Sequence, residues 1–114
     1  MIKFDGYYKL KTVPVKDSIA NHTISGYHHM AFLFQKNGEY ITASDLNQFS
    51  SHVFRKQDFD KKYSNNYIIQ NNKLLITHYS GKAWEFIEIF ERINDNLFEN
   101  DKQKLTFVKW HENE

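Results

Sequence analysis

Between Asn66 and Asn100 the chain is punctuated by Asn71-Asn72, Ser80-Gly81 and Asn94-Asp95-Asn96, and the runs between them are β-branched and aromatic. Strand-forming runs cut by turn-forming residues are the pattern of an antiparallel meander. A two-residue turn at Asn71-Asn72 sets Ile69 opposite Leu74 and Tyr67 opposite Ile76. Side chains alternate along a strand, so Tyr67, Ile69, Leu74, Ile76 and His78 then share one face. That face is nearly all apolar and has to be covered by other parts of the sheet. The expectation is a small all-β domain with an aromatic interior.

The rest of the chain offers the strands to do this. Phe4–Val13 alternates, with Phe4, Gly6, Tyr8 and Leu10 on one side. Pro14 lacks an amide hydrogen and marks a strand end or a sheet edge. Asp17–Ser25 is polar and without period, which reads as a loop with at most a short helical turn. Tyr27–Gln35 is a strand, and Asn37-Gly38 is the strongest hairpin signal in the chain. A type I′ turn there pairs Lys36 with Glu39, Phe34 with Ile41 and Phe32 with Ala43, giving the apolar face Met30, Phe32, Phe34, Ile41 and Ala43. Ser44–Phe49 reads either as one short helix capped by Ser44 or as a loop. His52–Phe59 reads as a weakly amphipathic strand, and Asp60–Asn66 as a turn-rich linker. Lys104–Trp110 sets Leu105 and Phe107 against Thr106, Val108 and Trp110.

Lys82–Ile93 is ambiguous. Phe86, Ile89, Phe90 and Ile93 fall at helical spacing, but β-branched composition and strand neighbours favour a strand. Two parities are open: Ala83, Glu85, Ile87 and Ile89 inward, or Trp84, Phe86, Glu88 and Phe90 inward.

Composition excludes several classes of function. The chain has 114 residues, the size of one domain spanning 1–114. Its 17% aromatic content can build a large core or line a cavity. There is no cysteine, so disulfides, thiolate catalysis and cysteine metal sites are excluded. A net charge of +1, spread along the chain, gives no basic stripe for nucleic acid. No apolar run approaches the roughly 20 residues of a membrane-spanning helix. Met1–Gly6 lacks a basic segment leading into an apolar run, so a cytoplasmic location is expected, or a periplasmic or extracellular one if an export signal has been removed.

The order of features resembles the small bacterial lipocalin-like domains of the calycin group. These open with Gly-x-Trp on the first strand, continue with an aromatic strand ending in an Asn-Gly or Asp-Gly turn, and finish in a meander. Gly6-Tyr7-Tyr8 stands in the place of Gly-x-Trp, with tyrosine where the family has tryptophan. Phe32-Leu33-Phe34 with Asn37-Gly38 matches the second feature, and Tyr67 to Ile76 the third. The basic residue that packs over the family's tryptophan corresponds to Lys104 or Lys109. The resemblance implies an antiparallel up-and-down barrel of about seven to nine strands with an internal ligand cavity, and no particular ligand.

Chemistry-bearing groups are sparse. The histidines at 22, 28, 29, 52, 78 and 111 show no close-set ligand spacing, and His28 and His29, adjacent on a strand, point to opposite faces. Glu85, Glu88 and Glu91 alternate with apolar residues as a solvent face does. No nucleophile elbow or glycine-rich phosphate loop is present. No metal or other cofactor is expected. The function expected first is non-enzymatic binding of a small apolar molecule inside the barrel, in a pocket of Phe32, Phe34, Tyr67, Ile76, His78, Trp84, Phe86 and Phe107. Two alternatives stand beside it: a protein-interaction domain, as an inhibitor or toxin-neutralising partner or as a homodimer, using exposed aromatic surface, and a barrel enzyme using His28 or His78.

Overall fold

The computed structural model describes residues 1–19, 22–62, 64–79 and 84–110, and the side chains of all of these except 17–19, 22, 24, 78, 79 and 84–87. Nine strands run through it: β1 (Gly6–Leu10), β2 (Val13–Ile19), β3 (His22–Phe34), β4 (Glu39–Asn47), β5 (Asn65–Gln70), β6 (Lys73–Tyr79), β7 (Trp84–Asn94), β8 (Leu97–Glu99) and β9 (Lys104–Lys109). All pair antiparallel, in the order β1-β9-β8-β7-β6-β5-β4-β3, and β3 returns to β1. Eight strands thus close a barrel. The ninth, β2, pairs only with the first half of β3, and the two form a ribbon that continues past the barrel rim. Among the described residues the only helical element is a 3-10 turn, Lys56–Asp58.

The two hairpin turns follow different chemistry. Asn71 and Asn72 both adopt left-handed backbone, φ 53° and 66°, the type I′ geometry that matches strand twist. Tyr67 pairs with Ile76 and Ile69 with Leu74, as the sequence implies. At Asn37-Gly38 only Gly38 is left-handed, at φ 88°. The Gly38 amide donates to the Gln35 carbonyl at 3.2 Å and the Gln35 amide to the Glu39 carbonyl at 2.8 Å. This is a three-residue turn with a glycine bulge, held by the Asn37 side chain accepting from the Glu39 amide at 3.0 Å. The extra turn residue shifts the register by one from the expected pairing: Phe34 meets Tyr40 and Ala31 meets Ala43. Tyr40 therefore faces inward, while Ile41 and Ala43 belong to the outer surface.

That outer surface is covered. The segment 48–62 crosses the outside of the barrel as a strap and seats Phe54 and Phe59 on Tyr7, Ala31, Ile41 and Ala43. Trp110 completes this second core, its ring 5.2 Å from Tyr7 and 5.9 Å from Phe59. The expected strand at His52–Phe59 is therefore corrected to an irregular strap around a 3-10 turn, its aromatics anchoring it singly on the outer face of the barrel. Both readings of Ser44–Phe49, short helix or loop, are corrected over Ser44–Asn47, which continues β4 opposite Tyr27–Met30. Of the loop read at Asp17–Ser25, the described residues, 17–19 and 22–25, are β-ribbon. A ribbon beyond the barrel needs no apolar alternation, which is why its polar sequence hid it.

The barrel interior is the first core. Tyr8, Tyr40, Leu74, Ile76, Phe90, Phe98 and Leu105 are buried completely. Phe90 inward and Ile89 exposed settle the described part of β7 in favour of the parity that also turns Glu88 inward, opposite Ile76. One barrel end gathers the turns at 35–38, 71–72 and 95–96 and is plugged by the first residues. Ile2 is buried in the interior cluster, and the Tyr8 hydroxyl accepts from the Lys3 amide at 3.0 Å and donates to the Asp95 carbonyl at 2.7 Å.

Two stability measurements test this account. Asn71→Ala should cost about 1–2 kcal/mol in denaturant unfolding, the penalty of left-handed backbone without glycine or asparagine, and Asn71→Gly should cost nothing. Phe34→Ala, in the packed interior, should cost about 3–5 kcal/mol; a loss below about 1 kcal/mol would show Phe34 outside the core.

Candidate functional site

The expected site residues divide along the barrel axis. Phe32, Phe34, Tyr67 and Ile76 are buried in the interior, and Phe107 packs against them partly buried. Phe34 lies 4.8 Å from Tyr67 and 5.5 Å from Tyr8, both edge-on, so the rings interlock toward the plugged end. The Tyr67 hydroxyl donates to the Gln35 carbonyl at 2.6 Å, holding the β3–β4 turn. His78 pairs with Phe86, and Trp84 with Tyr79, across a bulge between β6 and β7. The side chains of these three expected site residues lie outside the described set.

Two polar groups lie inside the barrel: Tyr40, which the sequence left unassigned, and Glu88, whose solvent-face reading is corrected because it shares the inward face of Phe90. The Tyr40 hydroxyl donates to the Thr77 carbonyl at 3.0 Å across the interior. Burial, and secondarily the Glu88 carboxylate, pushes its pKa well above the usual phenol value. Glu88 is half-buried, and the Asn100 side-chain amide donates to Glu88 Oε1 at 3.4 Å. Asn100 belongs to the turn between β8 and β9, at the end opposite the plug. Glu88 thus lies on the inner wall toward that end, level with Ile76 and above the apolar layer of Phe90 and Leu74. The bulged hairpin at Gly38 is what turned Tyr40 inward, and its register was not visible from alternation alone.

At the same end the inner face of the barrel continues onto the ribbon. On β3 the residues sharing a face with Phe32 are Met30 and His28, and His28 has Val13 beside it on β2 and Leu46 beside it on β4. Val13 is 53% exposed and Leu46 63% exposed. Leu10 and Met30 lead from this surface down to the interior cluster.

His29 and His52 are structural. His29 is fully buried on the outer face: Nδ1 bonds Thr12 Oγ1 at 3.1 Å and Nε2 the Phe49 carbonyl at 3.0 Å. With the carbonyl requiring a donor, Nε2 carries the hydrogen and Nδ1 accepts from Thr12. His52 stacks on it at 5.3 Å and lies 3.6 Å from Asp45. The Lys9 ammonium donates to the His52 carbonyl at 3.1 Å, and burial lowers its pKa. This group fastens the strap to the barrel. Among the described residues no cluster of three or more His, Asp or Glu could hold a metal ion.

Three interior tyrosines share a titration behaviour. Burial raises the pKa of Tyr8, Tyr40 and Tyr67 above 10. A phenol raised in the fold binds its proton more tightly folded than unfolded, so the stabilisation is complete below pH about 10 and is lost as pH rises beyond it. An alkaline titration followed at the tyrosinate absorbance should show these phenols ionising only together with loss of the β-sheet circular dichroism. Ionisation of all seven tyrosines while the fold persists would contradict their burial.

Comparison with protein-family models, with curated proteins and with solved structures yields no match to this chain. What places it beside other proteins is architecture: a closed eight-stranded antiparallel barrel with one added strand, an arrangement consistent with the calycin type.

Proposed function

We propose that this chain is a non-enzymatic, lipocalin-like binding module that takes a small, largely apolar molecule at the barrel end opposite the plug. The observation that carries the reading is the continuous inner face from Met30 through His28 to Val13 and Leu46. Apolar side chains left exposed next to an interior cluster are a common mark of a ligand or partner site. In this reading the ligand body lies on Leu10, Met30 and Leu46. A hydroxyl or amine on it reaches Glu88 and the Tyr40 hydroxyl, because a half-buried carboxylate favours a donor and disfavours a second carboxylate. The expected lining by His78, Trp84 and Phe86 fits the same reading, since β6 and β7 bring those positions to this end. Phe32 and Ile76 form its floor; Phe34, Tyr67 and Phe107 lie deeper and support the floor.

The β2 edge favours a second reading. β2 closes the sheet order on one side with no further strand among the described residues, and its Val13 and Val15 are exposed. An edge with apolar side chains is a surface for strand addition by a protein partner or a second copy.

Titration with 1-aminoanthracene, an apolar fluorescent amine, separates the two. Saturable one-to-one binding, competed by 1-decanol and weakened about tenfold or more by Leu46→Asp (about 1.4 kcal/mol), is expected. An absence of saturable binding, or binding indifferent to Leu46→Asp, would remove the ligand reading. Light scattering that shows a dimer dissociated by Val13→Lys would then support the edge as an interface.

A further inference from the structure

On the outside of the barrel, at the plugged end, a cleft of about 590 Å³ opens between the first residues, the β3–β4 turn, the strap and the end of β9. We propose that this cleft is a second site, independent of the barrel mouth, for a small organic anion with a flat aromatic body. Its apolar surface is made by Phe4, Leu33, Ile41 and Trp110, and its rim carries Lys36, Lys56, Lys61 and Lys109. Among the described residues lining it, four ammonium groups face one carboxylate, that of Asp5, in a protein whose net charge is only +1.

The lysines are held available to an anion. No carboxylate among the described residues forms an ion pair with any of the four, whereas Lys104 pairs with Glu99. Two of them stand over aromatic rings instead: Lys36 Nζ is 5.8 Å from the Phe4 centroid and Lys56 Nζ 5.7 Å from that of Trp110. A ring attracts an ammonium without neutralising it, so the positive potential remains for a ligand. The aromatic wall is also preorganised. Tyr7 and Phe59 pack against Trp110, and the Trp110 amide donates to the Asp5 carbonyl at 3.0 Å. Binding there would immobilise lysine side chains but leave the aromatic wall where it is.

The volume falls in the range of small-molecule pockets, about 300–1,000 Å³. Two features define the occupant. The apolar wall rewards a ring, and the lysine rim rewards a carboxylate, sulfonate or phosphate attached to it. The strap lysines that continue from the cleft alternate with Asp58 and Asp60, so the positive charge forms no stripe and fits one small anion better than a polymer backbone.

The test is a titration of the full chain with 2-naphthoate, with 2-naphthalenemethanol as the neutral match and acetate as the anion without a ring. Amide chemical-shift mapping locates the binding. Saturable binding of 2-naphthoate is expected, with shifts at 4–5, 33–36, 56–61 and 109–110. The alcohol should bind about tenfold or more weakly, acetate should not saturate, and affinity should fall as salt is raised past the screening range of about 0.1 M. Lys36→Gln with Lys109→Gln should weaken 2-naphthoate about tenfold while the circular dichroism stays unchanged. Equal affinity for the alcohol, no loss in the double variant, failure to saturate, or shifts confined to Met30 and Leu46 would each overturn the proposal. The decanol-competed binding of 1-aminoanthracene at the barrel mouth should be untouched by the lysine changes, so the two sites stand or fall separately.

Discussion

Closure of the barrel depends on Tyr8. Its ring lies 5.5 Å from Phe34, 5.6 Å from Phe98 and 5.3 Å from Phe107, which brings β3, β8 and β9 around one side chain of β1. Its hydroxyl then joins the Lys3 amide to the Asp95 carbonyl, tying the first residues to the β7–β8 turn. The seam it spans is short: β1 and β3 share only Tyr8–Phe32 and Lys9–Ala31. Two ladder pairs hold a seam weakly by themselves, and the aromatic contacts supply what the ladder lacks. Gly6, two residues earlier, lets β9 approach; a Cβ there would sit 2.1 Å from the Val108 carbonyl oxygen.

A second short seam lies across the barrel, where β4 and β5 share Glu39–Asn66 and Tyr40–Asn65. Beyond it β4 would present a bare edge, and the strap covers part of that edge by donating the Asp60 amide to the Thr42 carbonyl at 3.1 Å. The strap thus serves two needs, satisfying an exposed backbone acceptor and roofing the outer aromatic cluster. Its hold at the other end comes from the Tyr7 hydroxyl, which accepts from the Phe54 amide at 3.0 Å, and from the buried His29.

The all-β architecture and most inward faces were legible in the sequence because alternation and turn residues report them directly. Asn71-Asn72 dictates its register, since two left-handed asparagines admit one turn type. Asn37-Gly38 did not dictate its own, because glycine alone satisfies either a two-residue turn or a three-residue turn with a bulge; Tyr40 and Ile41 changed sides on that one residue. The strap was illegible for a different reason: Phe54 and Phe59 are buried without belonging to any periodic element. The exposed inner face at Val13, His28 and Leu46 was hidden too, since it arises from three strands brought side by side by long-range pairing. The lysine cleft draws on four separate parts of the chain, and no local spacing announces such an assembly.

On β1, β3 and β4 successive residues alternate between two cores: Tyr7 then Tyr8, Ala31 then Phe32, Tyr40 then Ile41. On β5 and β7 one side is open, with Ile68 and Ile89 exposed. The barrel wall therefore has two grades of freedom under mutation. In the doubly covered third, a one-residue insertion would exchange the contents of both cores at once, so this part can change only by matched replacement. The singly covered strands can drift on their outer faces at little cost. Over long divergence such a chain would keep its outline in a few strands and lose its lettering elsewhere, and ancestry would then survive in the barrel's geometry long after it had faded from the residues.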